Sequence, residues 1–148
     1  MDSPIDRATL VGAMGDAVIV SDVQGRVLVW NAAAERLFGW TEAEAMGQRM
    51  DMIVPERLRK RHWDGYDTSM RTGQTRYAHD VLRVPAVDKA GRAMSIAFTV
   101  FMLFGPDGKV SACGAVIRDE TERFAQDREL RKRVSDLEAQ LAAGAAGA

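Results

Sequence analysis

The chain has 148 residues, with 20 lysines and arginines against 21 aspartates and glutamates, for a formal net charge of −1. That length suits one domain with an appendage, and near neutrality removes the electrostatic footprint of a nucleic-acid or anionic-membrane binder. A hydrophobic fraction of 47% supports a packed core, while the single Cys113 excludes an internal disulfide or a cysteine-based zinc site.

Ser3-Pro4 reads as a helix start, serine as cap and proline at the first helical position. Ile5, Leu10, Val11 and Met14 follow at helical spacing, so residues 1–14 are expected to form an amphipathic helix. It is too short to stand alone and must dock on the core or on a second copy. Ala17-Val18-Ile19-Val20 and Val27-Leu28-Val29-Trp30 are short apolar runs rich in β-branched residues. The turn chemistry of residues 21–25 between them makes a β-hairpin. Asn31 can cap a helix over residues 32–38 that Gly39 ends. Thr41-Glu42-Ala43-Glu44 has capping-box spacing before a single turn closed by Gly47.

Pro55 opens a longer helix, residues 56–72, stopped by Gly73. Strand-like segments follow at residues 76–84, 94–104 and 110–119, separated by Asp88-Lys89-Ala90-Gly91 and Gly105-Pro106-Asp107-Gly108. Tight turns between consecutive strands make them antiparallel. The expected architecture is α+β, one sheet with short helices on one face. Residues 120–143 hold no glycine or proline, and Leu130, Val134, Leu137 and Leu141 recur at spacings of 4, 3 and 4, a heptad seam. Two heptads with polar flanks favour a parallel dimeric coiled coil, with a helix folded back on the sheet as the alternative. Residues 144–148 form a small-residue tail expected to fray.

The segments Gly15-Asp16-Ala17-Val18-Ile19-Val20-Ser21-Asp22, Trp30-Asn31-Ala32-Ala33-Ala34-Glu35, Phe38-Gly39-Trp40 and Ile117-Arg118-Asp119-Glu120-Thr121-Glu122-Arg123 together resemble the PAS family of sensory domains. The resemblance spans residues 15–123. It implies a five-stranded antiparallel sheet with a ligand slot between sheet and helices, over residues 15–119. It also implies an Asp-x-Thr junction at Asp119 and Thr121 leading into a signalling helix.

A narrower resemblance lies in Ile53-Val54-Pro55-Glu56-Arg57-Leu58-Arg59-Lys60-Arg61-His62, with Thr72-Gly73 beyond. It is similar to the haem-binding PAS subgroup, the FixL-type and direct oxygen-sensor domains, in which the ligating histidine follows the helix-opening proline by seven residues, as His62 follows Pro55. One departure is Trp63, which stands between His62 and Asp64-Gly65-Tyr66. The resemblance implies haem b held through His62, the other ring nitrogen donating to a backbone carbonyl.

From the residues themselves, Leu58, His62, Tyr66 and Met70 share one helix face, so His62 is either a hydrogen-bonded core histidine or a ligand. Ile53, Leu58, Tyr66, Met70, Ile96, Phe98, Val100 and Met102 could line an apolar slot, or simply pack as core. Arg76 and Thr68 are candidates for the haem propionates, with a solvated surface as their plain reading. On the distal side the FixL-type arginine position is occupied by Leu82, with Arg83 beside it and facing the other way. The direct oxygen sensor's methionine position is Asp80. His79 is a further distal candidate that a strand surface would also explain. Leu82 without a donor favours carbon monoxide or nitric oxide over oxygen.

Gly47-Gln48-Arg49-Met50 lacks the cysteine of flavin photosensors, and Cys113 reads as a small sheet residue. No phosphate loop, nucleophile triad or kinase motif is present, so no enzyme is expected. No apolar run reaches the roughly 18–20 residues that span a bilayer. The start lacks the basic and apolar regions of a signal peptide. A soluble cytoplasmic protein in a reducing compartment is expected. The reading is therefore a haem-based sensor of gas or redox state, with iron at His62. It would form a homodimer through the N-terminal helix and coiled coil, with an effector such as a kinase or cyclase in trans. A haem-free PAS interaction module is the alternative.

Overall fold

The structure is a computed structural model that describes residues 4–75 and 78–147. Five strands form one antiparallel sheet in the order β2-β1-β5-β4-β3, where β1 is Ala17–Asp22, β2 Val27–Trp30, β3 Leu82–Val87, β4 Ala93–Phe104 and β5 Val110–Asp119. The helices are α1 (Arg7–Ala13), α2 (Ala32–Phe38), α3 (Glu42–Ala45), α4 (Arg59–Thr72) and α5 (Thr121–Ala146). Single 3-10 turns at Met50–Ile53 and Glu56–Leu58 lead into α4.

The local stop and start signals act as the sequence implies. Asn31 accepts from the Ala34 amide at the start of α2, and Gly39 ends that helix at a φ of 79°. Thr41 and Glu44 form a reciprocal capping box on α3. Gly73 closes α4 at a φ of 69°.

Four boundaries differ from expectation. The first helix begins at Arg7 rather than after Ser3, because the Asp6 carboxylate takes the Ala8 and Thr9 amides at 3.3 and 3.1 Å. Ser3 lies outside the described residues. The long helix is a 3-10 turn before it becomes α-helical at Arg59. Among the described residues the third strand is Leu82–Val87, starting after residues 78–81 and running past Val84; residues 76 and 77 of the expected 76–84 segment lie outside the described residues. Its register is set by the Asp88–Gly91 turn, whose backbone bonds join Asp88 to Arg92 and Gly91 to Asp88. As an edge strand it accommodates Pro85, which has no N–H to give a ladder. Finally, α5 continues to Ala146 in place of a tail from residue 144.

The sheet carries apolar residues on both faces. On the inner face the main core gathers Ala17, Ile19, Met94, Ile96 and Ile117 with Trp30, Phe38, Ala34 and Ile53 from β2, the short helices and the first 3-10 turn. On the outer face Val11 and Met14 of the α1 segment cover Val18, Val20, Ala112 and Phe101. The Phe101 ring lies directly over Gly114, where a Cβ would collide with it.

Asn31 ties these layers together. Its side-chain oxygen accepts from the Val18 and Ala34 amides, and its amide nitrogen donates to the Val11 and Asp16 carbonyls. The base of α5 is tied as well. Asp119 accepts from the Thr121 amide and hydroxyl, and Thr121 Oγ1 accepts from the Ser95 amide of β4 at 3.0 Å. Beyond that junction none of α5 is buried, so the helix does not fold back over the sheet. No helix among the described residues is long and apolar enough to cross a membrane.

Candidate functional site

On α4 the expected stripe is real. Tyr66 is buried, and Leu58, His62 and Met70 are half-buried, while Lys60, Arg61, Asp64 and Asp67 are exposed. Tyr66 anchors the helix to the sheet. Its hydroxyl meets the Ser21 hydroxyl at 3.0 Å and donates to the Asp22 carbonyl. Burial pushes the phenol up to about 12, only partly opposed by the bond to Ser21. At its other end α4 closes at Gly73, which lies against Phe104 and Val110. The helix thus crosses the inner face near the β4–β5 hairpin.

His62 sits one turn before Tyr66, with ring centroids 6.0 Å apart, and meets Trp63 edge-on at 4.7 Å. Its Nδ1 is buried and has no hydrogen-bond partner among the described residues. That nitrogen therefore donates to no backbone carbonyl among the described residues. Burial lowers the imidazole below its ordinary value, with Asp51 acting against this and Arg49 reinforcing it. Burial thus favours the neutral ring, the form in which imidazole binds metal.

The remaining candidates lie on the sheet. Leu82 is half-buried on the inner face of β3, directly opposite Phe98, and Val84 pairs with Ile96. Ile96 is buried in the core, whereas Phe98, Val100 and Met102 are only half-buried although β4 is an interior strand. Register places Ser21 beside Cys113 and Cys113 beside Met102, so Tyr66 stands at the Met102 end of β4. At about 3.3 Å per residue, Ile96 is some ~20 Å along the strand from Met102. Between the two lies a half-exposed apolar strip, Phe98 and Val100, flanked by Leu82. The candidates thus form an α4 group and a sheet group, with that strip between them.

His79 and Arg83 are both exposed, as is Asp80. Arg83 alternates with Leu82 in β3, so Leu82 is the one of the two on the inner face, and His79 is exposed just before the strand. Thr68 is exposed and spends its hydroxyl on the Asp64 carbonyl one turn back. Arg76 lies outside the described residues. Cys113 is half-buried in β5, its thiol pushed up to about 11 by burial. Two open clefts, of about 310 and 370 Å³, lie outside the strip, the second beside the β1–β2 turn and Arg49. The first is lined by Asp16, Arg36, Leu37, Arg118 and Asp119 among others, the second by Val23, Gln24, Arg26, Arg49 and Asp67.

Four residues around His62 were not legible as a site. The Trp63 indole N–H donates to Asp51, the Arg49 guanidinium lies 4.1 Å from the Trp63 ring, and that ring covers Gly25. The one available signal was the tryptophan itself, a large aromatic on the otherwise polar run Arg59–Arg61 and Asp64.

Comparison with known proteins agrees with this architecture. A family model described as PAS fold matches residues 11–125. The Sensor protein FixL of Bradyrhizobium diazoefficiens is 44% identical over 64 residues, covering 43% of this chain and 12% of that protein. The Oxygen sensor protein DosP of Escherichia coli is 27% identical over 119 residues, 80% of this chain and 14% of DosP. The chain therefore spans well under a fifth of either curated relative. Among solved structures, a PAS domain from Colwellia psychrerythraea superposes with a TM-score of 0.69 at 21% identity, covering 78% of this chain and 95% of that one. An RNA-binding light-oxygen-voltage receptor gives 0.71 at 20% identity, over 91% of this chain and 40% of the receptor. These two likenesses concern the fold alone.

Proposed function

The chain belongs to the PAS family of sensory domains, and on that premise we propose that it holds haem b through His62 and reports a diatomic gas or a redox change through α5. The observation that carries this reading is the buried, unpartnered Nδ1 of His62, whose neutral form burial favours. A buried nitrogen without a partner costs about 1–3 kcal/mol, a penalty that a metal bound at that same nitrogen would offset. The half-exposed apolar strip of Phe98 and Val100 beside Leu82 supports it, being a surface suited to a large flat apolar group. The stretch 44% identical to Sensor protein FixL and the match to Oxygen sensor protein DosP support it further.

In this reading His62 would hold the haem iron, with Leu58, Tyr66 and Met70 of α4 and Ile96, Phe98, Val100 and Leu82 of the sheet lining the group. Held there, haem would supply reversible binding of a diatomic gas. The chain's own contribution on that side is apolar: Leu82 faces inward, and the donors His79 and Arg83 stand outside. A surface without a donor favours carbon monoxide or nitric oxide over oxygen.

Output follows from β4. Ile96 lines the inner face, and the adjacent Ser95 donates its amide to Thr121 at the base of α5. Repacking around Ile96 and Phe98 therefore shifts the root of the exposed helix, whose seam residues Leu130, Val134, Leu137 and Leu141 are free to pair with a second copy. With α1 as a second contact, the homodimer would present α5 to an effector such as a kinase or cyclase. A haem-free interaction module is the competing reading. It is favoured by the direct seating of α4 on β1 through Tyr66.

The test is a visible spectrum of the purified chain given haemin, then reduced and exposed to carbon monoxide and oxygen in turn. A Soret band that shifts with carbon monoxide supports gas sensing. A colourless protein that does not take up haemin leaves the interaction module.

A further inference from the structure

Trp63 interrupts the pattern of its helix, and nothing in the histidine spacing accounts for it. In three dimensions it occupies a socket built from two distant stretches of chain. The Asp22–Gly25 turn between β1 and β2 closes with a backbone bond from the Gly25 amide to the Asp22 carbonyl. Gly25 takes a φ of 82°, open to glycine and strained for other residues. It is also buried, because the outer edge of the Trp63 indole sits where a Cβ would stand. Glycine is therefore required twice, once by the turn and once by the ring.

The other wall comes from the segment before α4. Arg49 pairs with Arg26 through an isolated β-bridge, which fixes the segment's backbone against the start of β2. From there the Arg49 guanidinium covers the indole face at 4.1 Å, and Asp51 accepts the indole N–H. The edge of the same indole meets the His62 ring at 4.7 Å and the Tyr66 ring at 5.3 Å. Trp63 is thus in contact with His62 and with three groups that do not belong to α4.

We propose that Trp63 is the positioning residue of the His62 site, a clamp that fixes the first turns of α4 on the β1–β2 turn and so sets the orientation of the His62 imidazole. The clamp deepens the haem reading above and rests on it for its functional meaning. Its geometry is a property of the haem-free chain. It also makes the β1–β2 turn part of the site, since any movement of His62 toward or away from the sheet pulls on Gly25 and Arg49.

The test compares the wild type with Trp63→Phe, Trp63→Ala and Gly25→Ala, using Leu37→Ala as a control for general loss of core packing. In the haem-free chain the readouts are the ring-proton NMR shifts of His62 and amide exchange across residues 59–66. With haemin added, the readouts are the position of the Soret band and the haemin dissociation rate. Trp63→Ala is expected to remove the ring-current shift of His62 and to raise amide exchange in the first turns of α4 at least tenfold. It should also speed haemin loss at least tenfold. Trp63→Phe, which keeps an aromatic ring beside His62 but loses the indole donor and the outer edge that covers Gly25, restores only part of each readout. Gly25→Ala behaves like Trp63→Ala, and Leu37→Ala moves none of them.

Unchanged His62 shifts and α4 exchange in Trp63→Ala would overturn the clamp, as would equal effects from Leu37→Ala. A wild type without a histidine-ligated spectrum would refute the haem reading instead, and the haem-free readouts would still decide whether Trp63 positions His62.

Discussion

Replacing Asn31 with alanine tests how the layers are joined. Asn31 is 5% exposed and makes four side-chain hydrogen bonds. It accepts from Val18 and Ala34 at 2.9 and 3.0 Å and donates to Val11 and Asp16 at 3.0 and 3.1 Å. Losing the cap on α2 costs about 1 kcal/mol. Leaving the buried Val18 amide without that acceptor costs a further ~1–3 kcal/mol. The two carbonyls lie nearer the surface and recover water, so their loss adds about 1 kcal/mol together. The sum is about 3–5 kcal/mol, a large share of the roughly 5–15 kcal/mol that stabilises a domain.

Urea denaturation at constant m-value measures the change, and the melting temperature should fall by roughly 10 °C at about 2–4 °C per kcal/mol. Asn31→Asp sharpens the test. It keeps both acceptors and the cap, but loses the donors to Val11 and Asp16. Amide exchange should therefore rise in α1 while α2 stays protected. A loss below about 1 kcal/mol for Asn31→Ala, or exchange in α1 unchanged by either variant, would refute the hub.

Two further outcomes follow from the same geometry. Tyr66 has its folded value raised from 10.0 to about 12, so the unfolded chain loses that proton first. Its contribution to stability is complete below pH 10 and is lost as pH rises toward 12. The wild type minus Tyr66→Phe difference in urea midpoint should shrink over that window, and a flat difference would contradict the buried hydroxyl. Leu137 is exposed on the α5 seam. Leu137→Asp should convert a sedimenting dimer to monomer while moving the melting temperature of the globular part by no more than about 2–4 °C. A dimer that survives it does not rest on this seam.

What was legible in the sequence is what short-range chemistry decides. Asn31, Gly39, Thr41, Glu44 and Gly73 act within a few residues of themselves, and each does as its type implies. The helix of α5 was equally plain, because residues 120–143 hold no glycine or proline. The start of α1 was misplaced because two capping residues stand close together, and Asp6 offers a carboxylate to two amides where Ser3 offers one hydroxyl.

The third strand was misplaced for a different reason: its pairing partner fixes its register, and a proline inside it reads as a break unless the strand is known to be at an edge. At the site, the helix stripe of Leu58, His62, Tyr66 and Met70 could be read from periodicity, and the opposite facing of Leu82 and Arg83 from alternation. The Trp63 socket could not, because Gly25 and Arg49 are brought to it only by the closed fold. Asn31 was recognisable as a cap but not as the bond between α1 and the sheet, for the same reason.

The most direct measurement is a haemin titration of the wild type beside His62→Ala, followed by visible absorption, with circular dichroism to show that both are folded. The expected result is saturable uptake at one haem per chain with a Soret band in the wild type, and loss or marked displacement of that band in His62→Ala. The same saturable band in both proteins would contradict ligation by His62, and no uptake by the wild type would contradict a haem site in this chain.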